Sequence, residues 1–145
     1  MKNVPRYTSY PTAPHFHDGV QEADYIDWLQ SLDNQQNLSL YFHIPYCRKL
    51  CWFCGCHTKI INQYSPVTQY MPILEQEVKL LSSYIKPLSV KHIHFGGGSP
   101  TIIKGDEFLN FMTLVGNHFN IDKMADIAIE MDLGSLNMIG GECDR

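Results

Sequence analysis

Four cysteines crowd one short stretch of this chain, and they dictate what it can do there. Cys47, Cys51 and Cys54 stand at C-x3-C-x2-C spacing, and Cys56 follows after a single glycine. The four cannot all share one face of a helix or a strand: Cys47, Cys51 and Cys54 fall at i, i+4 and i+7, but Cys56 at i+9 would lie on the opposite side of a helix. The stretch is therefore read as a curled loop, whose thiols can converge on one inorganic centre. Soft thiolates select zinc, copper(I) or iron and sulfur. If only Cys47, Cys51 and Cys54 held a four-iron cluster, one iron would lack a protein ligand and stand open to a small molecule. Two other readings stay open on residues alone: a zinc knot completed by His43 or His57, and a set of buried structural cysteines. Zinc sites more often pair C-x2-4-C with a second, distant pair of ligands. Here the fifth cysteine, Cys143, is isolated.

The loop is fed by a strand. Leu38, Leu40, Phe42 and Ile44 alternate with Ser39, Tyr41 and His43, and Pro45 stops the run. After a connecting loop at 57–65, the spacing of Met71, Leu74, Val78, Leu81 and Ile85 predicts a helix over about 68–86, ended by Pro87. Pro72 is a difficulty, because an interior proline removes a backbone hydrogen bond and costs about 3 kcal/mol. The helix is expected to begin at Pro72 or to bend there. A second strand, Val90 to Phe95, runs into Gly96-Gly97-Gly98-Ser99-Pro100-Thr101. Glycines let the backbone approach a ligand closely, but this turn lacks the lysine of a phosphate-binding loop. A helix over about 106–119 buries Phe108, Phe111, Met112, Val115 and Phe119, and a third strand, 127–131, carries Glu130 and Asp132 at its end. Upstream, Tyr25, Trp28, Leu29 and Leu32 share a helical face over 21–32, and a proline-rich arm holds Arg6, Tyr7 and Tyr10. That arm reads as a segment packed over a site.

The order strand, helix, strand, helix, strand argues for an α/β chain with a parallel sheet. In parallel barrels the site lies at the C-terminal ends of the strands, and the cysteine loop, the glycines and Glu130 all fall there. The expected organisation is an arm and helix at 1–37, then the first βα units of a barrel at 38–145. The formal charge of -4 gives no hint of nucleic-acid binding, and no apolar run is long enough to span a membrane. An odd cysteine count with four clustered suits a reducing compartment, so a cytoplasmic location is expected.

Tyr41-Phe42-His43-Ile44-Pro45 followed by the C-x3-C-x2-C loop resembles the radical S-adenosylmethionine (SAM) enzymes. With Pro5-Arg6-Tyr7-Thr8-Ser9-Tyr10-Pro11-Thr12, Cys56 and His94-Phe95-Gly96-Gly97-Gly98-Ser99-Pro100-Thr101, the likeness narrows to the oxygen-independent coproporphyrinogen III oxidase family. It runs from about residue 5 to 132 and covers only the first third or so of that family's usual length. The resemblance implies an N-terminal part of a partial (β/α) barrel with a [4Fe-4S] cluster on Cys47, Cys51 and Cys54, and Cys56 beside it. It implies that Tyr41, Gly97 and Glu130 hold the cluster-bound SAM, and Phe53, Gly98 and Ser99 a second SAM. Ser99 stands where the family commonly has threonine and keeps the hydroxyl. The implied reaction is radical decarboxylation of the propionates of coproporphyrinogen III to vinyl groups in porphyrin biosynthesis, with an unidentified electron donor and acceptor. Arg6 is the best candidate to meet a substrate carboxylate. A related haem chaperone, which binds haem without decarboxylation, is the alternative. Its relatives typically lack the arm and the position of Cys56. After Asp132 the chain departs from the family pattern, with Leu133-Gly134-Ser135 where proline and arginine are usual. Later strands and a C-terminal domain are missing, so this length is expected not to complete the reaction alone.

Overall fold

A computed structural model describes residues 15–52 and 54–132. The arm at 5–12, Arg6, Phe53, Cys143 and the departure after Asp132 lie outside them. Within the described residues the elements run α1 (Glu22–Gln30), β1 (Asn37–Ile44), β2 (Tyr46–Cys47), β3 (Lys59–Ile60), α2 (Ser65–Tyr84), β4 (Ser89–Gly97), a 3-10 turn (Pro100–Ile102), α3 (Gly105–His118) and β5 (Asn120–Ile129).

Strand β4 is central, with β1 on one side and β5 on the other, all parallel. A parallel pair needs a crossover, and α2 and α3 supply the two that this order requires. The alternation in β1 sets which face each helix meets. Phe42 and Ile44 from β1 join Ile93 and Phe95 from β4 beneath Val67, Met71, Leu74 and Val78 of α2 and Phe111 and Val115 of α3. Aromatic rings key this layer together: Phe42 stacks on Phe95 at 5.0 Å between centroids and meets Phe111 edge-on at 5.1 Å. Each such pair adds about 0.5–1.5 kcal/mol to the area it buries.

The opposite face of the sheet is polar. Ser39 of β1 pairs in register with His92 of β4, Tyr41 with His94, and His43 with Gly96. Parallel sheets are usually apolar on both faces because helices cover both. A second face of tyrosine and histidine departs from that pattern and suits a polar neighbour better than an apolar helix stripe.

Helix α2 corrects one of the two expectations about Pro72: the helix does not begin there. The helix starts earlier, at Ser65, and continues through Pro72 to Tyr84. Pro66 occupies the first turn, where a proline costs no hydrogen bond. Pro72 then gives up one bond, which the buried stripe of Val67, Met71, Leu74 and Val78 outweighs. Strand β5 also starts earlier than the third strand foreseen at 127–131, at Asn120. Its register against β4 jumps between Val90–Ile121 and His92–Asp126. The excess residues form a bulge, and within it Asp122 accepts hydrogen bonds from Lys91 Nζ and Ser89 Oγ. Ile127, Ile129 and Met131 remain exposed along this outer strand and its end.

Candidate active site at the strand ends

The cysteine loop is pinned at both ends. Cys47 ends the two-residue strand β2, which pairs with β3 through Lys59 N–H to Pro45 O at 2.8 Å and Ile61 N–H to Cys47 O at 2.9 Å. Cys47 is buried, Cys54 half-buried, and Cys51 and Cys56 are exposed; all four are free thiols. The Thr58 hydroxyl donates to Cys47 Sγ at 3.3 Å. The loop turns on a bond from Cys54 N–H to Cys51 O at 3.1 Å.

The glycine turn is stitched to the same loop. Gly98 N–H donates to Ile44 O and Ser99 N–H to Tyr46 O, both at 2.8 Å. Two of the glycines are required here. Gly97 has φ +104°, and a Cβ there would also lie 2.7 Å from the His43 ring. A Cβ on Gly98 would stand 2.6 Å from both the Tyr46 carbonyl oxygen and Thr58 Oγ1. Only glycine lets this turn lie so close to the cysteine loop.

Glu130 closes the site from the third strand. Its N–H continues the ladder to Phe95 O at 2.9 Å. Its carboxylate accepts from His94 Nε2 at 3.0 Å and from Gly97 N–H at 3.2 Å. Tyr41 stacks on His94 with 5.7 Å between centroids. The Tyr41 hydroxyl is 3.1 Å from His43 Nδ1, and His43 Nε2 is 2.9 Å from the His57 carbonyl. A carbonyl can only accept, so Nε2 carries the proton and, in the neutral ring, Nδ1 accepts from the tyrosine. Desolvation first, then the charges of Glu130 and Cys56, push the Tyr41 phenol above its ordinary value, which keeps that donor protonated.

The thiols feel one another as well. Local desolvation, then Asp132, Cys47 and Cys54, raise the Cys51 thiol; desolvation, then Cys54 and Glu130, raise Cys56. Among the described residues no three His, Cys, Asp or Glu side chains stand close enough for one metal ion. A four-iron cluster asks for wider spacing, because each thiolate bonds a different iron. Thiolates that would repel one another around a half-open loop suit such a cationic, sulfur-seeking centre.

Of the residues singled out in the sequence, the structure brings together Tyr41, Gly97 and Glu130, with Gly98 and Ser99 tied to the base of the cysteine loop. Phe53 lies outside the described residues. Sequence reasoning did not place His94 in the site or see Thr58 at Cys47. The available signal was the alternation His92, His94 along β4, which puts them on the face of Tyr41.

No family model matches the chain. It is 42% identical over 132 residues to the oxygen-independent coproporphyrinogen III oxidase of Bradyrhizobium diazoefficiens, a match spanning 90% of this chain and 29% of that protein. It is 39% identical over 128 residues to a protein of the same name from Mannheimia haemolytica, covering 88% of this chain and 87% of that one. Among solved structures it resembles a coproporphyrinogen III oxidase from Escherichia coli described as a radical SAM enzyme. There the TM-score is 0.78 at 34% identity, over 92% of this chain and 32% of that one. Parallel strands feeding a cysteine loop and a glycine turn thus define an N-terminal portion of a radical SAM partial barrel. Within that class the chain belongs to the oxygen-independent coproporphyrinogen III oxidase family. It spans under a third of the length of the Bradyrhizobium relative.

Proposed function

We propose that this chain carries the cluster and SAM portion of a radical SAM enzyme that decarboxylates the propionates of coproporphyrinogen III, giving protoporphyrinogen IX. In this reading Cys47, Cys51 and Cys54 hold a [4Fe-4S] cluster. Tyr41, Gly97 and Glu130 hold the SAM bound to it, and Phe53, Gly98 and Ser99 a second SAM. When bound, the cluster and SAM supply one-electron chemistry that removes hydrogen from a propionate β-carbon, after which carbon dioxide and an electron leave. An electron donor and a final acceptor are required as partners, and a reducing, cytoplasmic compartment suits the free thiols.

One observation supports this most: the three features meet at one end of one sheet. Glu130 lies against Gly97, and Gly98 and Ser99 bond to the backbone at the foot of the cysteine loop. The protein's own part is positioning. Gly97 and Gly98 keep space that side chains would fill, Glu130 and Tyr41 present acceptor oxygens at the rim, and His43 accepts the tyrosine's hydrogen bond and keeps it oriented. A large tetracarboxylate needs cationic partners; Arg6 is the candidate within this chain. The strands described form one wall, so the isolated chain should cleave SAM at most without useful transfer.

Anaerobic reconstitution with iron and sulfide tests the reading. A brown protein whose visible absorption bleaches with dithionite, and which releases 5'-deoxyadenosine from SAM, is expected. A colourless protein with about one zinc per chain would end it. A haem chaperone would instead bind haem stoichiometrically and, in a full-length relative, yield no vinyl product from coproporphyrinogen.

A further inference from the structure

Glu130 follows the last residue of β5, and its side chain is about half exposed. A carboxylate so placed has many rotamers to lose on binding a ligand. Here it is held already. One oxygen accepts from His94 Nε2 at 3.0 Å, and the other faces Gly97 N–H at 3.2 Å. Because a carboxylate only accepts, Nε2 bears the proton. The His94 ring is favoured in this position by Tyr41, to which it lies nearly parallel, 20° between planes at 5.7 Å. Gly96 leaves the room in which these groups meet: a Cβ there would come within 2.9 Å of both Glu130 Oε1 and the Tyr41 hydroxyl.

We infer that His94 is a positioning residue for SAM, which sets Glu130 and Tyr41 in binding geometry before the ligand arrives. The inference rests on the SAM site proposed above. With one lone pair on each oxygen engaged, the Glu130 carboxylate keeps its remaining acceptor sites for ligand hydroxyls. His94 touches both Tyr41 and Glu130, as an outer partner orients ligand-holding groups elsewhere. Its effect should be on affinity, not on cluster assembly, because its contacts are to Tyr41 and Glu130 and not to a cysteine.

The test uses the full 145-residue chain, reconstituted anaerobically and titrated with SAM while the paramagnetic resonance signal of the reduced cluster is followed. His94→Phe keeps a ring on Tyr41 and removes the hydrogen bond; His94→Gln keeps a donor and removes the ring. His94→Phe should bind SAM about tenfold more weakly with unchanged iron and sulfide. His94→Gln should stay within about threefold of the parent. In a Glu130→Gln background, His94→Phe should change affinity less than about threefold, since its partner is altered already. If His94→Phe does not fold, as judged by circular dichroism before reconstitution, His94→Leu takes its place. Equal affinity of parent and His94→Phe, equal weakening by both substitutions, or loss of iron in step with loss of SAM binding would each refute the inference. A parent whose spectrum ignores SAM sinks the proposed site itself, and this inference with it.

Discussion

Replacing Gly98 by alanine should loosen the joint between the glycine turn and the cysteine loop. The added Cβ would sit 2.6 Å from the Tyr46 carbonyl oxygen and 2.9 Å from its carbon, atoms of backbone that cannot turn aside as a side chain can. That carbonyl also accepts from Ser99 N–H at 2.8 Å, and Gly98 N–H donates to Ile44 O. Relief therefore requires the two segments to part. Overpacking costs about 1–3 kcal/mol, and weakening one hydrogen bond adds about 0.5–1.5 kcal/mol, so about 2–4 kcal/mol is expected. For a chain of this size that lowers Tm by roughly 5–15 °C. Gly116→Ala is the matched control. It lies inside α3, where a Cβ meets only Ile121 Cδ1 at 3.9 Å, so helix propensity should stabilise it by up to about 1 kcal/mol. Thermal unfolding followed by circular dichroism on both variants measures the contrast. A Gly98→Ala variant as stable as Gly116→Ala would show that the turn yields easily and that the close approach means nothing.

Single replacement of Cys47, Cys51 or Cys54 by alanine should abolish a stable four-iron cluster, whereas Cys56→Ala should leave much of it; iron and sulfide counts decide. Lys91 first, then the Met124 N–H, hold the Asp122 carboxyl below the usual range. A depressed carboxyl adds stability above its unfolded value, about 3.9, and loses it as pH falls through the lower folded value. Asp122→Asn should therefore flatten the acid side of a urea-midpoint profile between pH 7 and 3, and a profile as steep as the parent's would exclude this pair as a contributor. Phe111→Ala, at a fully buried ring, should cost about 3–5 kcal/mol, seen as a large fall in urea midpoint.

The parts legible in the sequence were those where one physical rule acts alone. Strict alternation fixed β1 and told which of its residues face the helices, and four cysteines that no single helix or strand face can hold pointed to a loop. Strands β2 and β3 have two residues each, too few for any period, and exist because backbone groups flanking Cys47 find partners. The first half of β5 reads Asn-Ile-Asp-Lys-Met-Ala and has no alternation; its bulge and its edge position remove the pressure for one. Pro72 does not start α2, because Val67 extends the buried stripe of Met71, Leu74 and Val78 by a turn upstream. His94 could be placed beside Tyr41 only once the register of β1 against β4 was known.

The three consecutive glycines differ in how their loss could be repaired. At Gly97 the backbone itself is left-handed, and at Gly98 main chain stands in the way beside the Thr58 hydroxyl, so no change in a neighbouring side chain readmits a Cβ at either. At Gly96 the three nearest obstacles are side-chain atoms, those of Tyr41 and Glu130. Second-site suppressors of an alanine at 96 should thus arise at 41 or 130 in a screen for soluble chain, while alanines at 97 and 98 should yield none at their side-chain neighbours. Since those suppressors alter the residues proposed to hold SAM, they would restore the fold and forfeit the site. Selection for foldedness and selection for activity part company at Gly96, one residue away from positions where they demand the same thing.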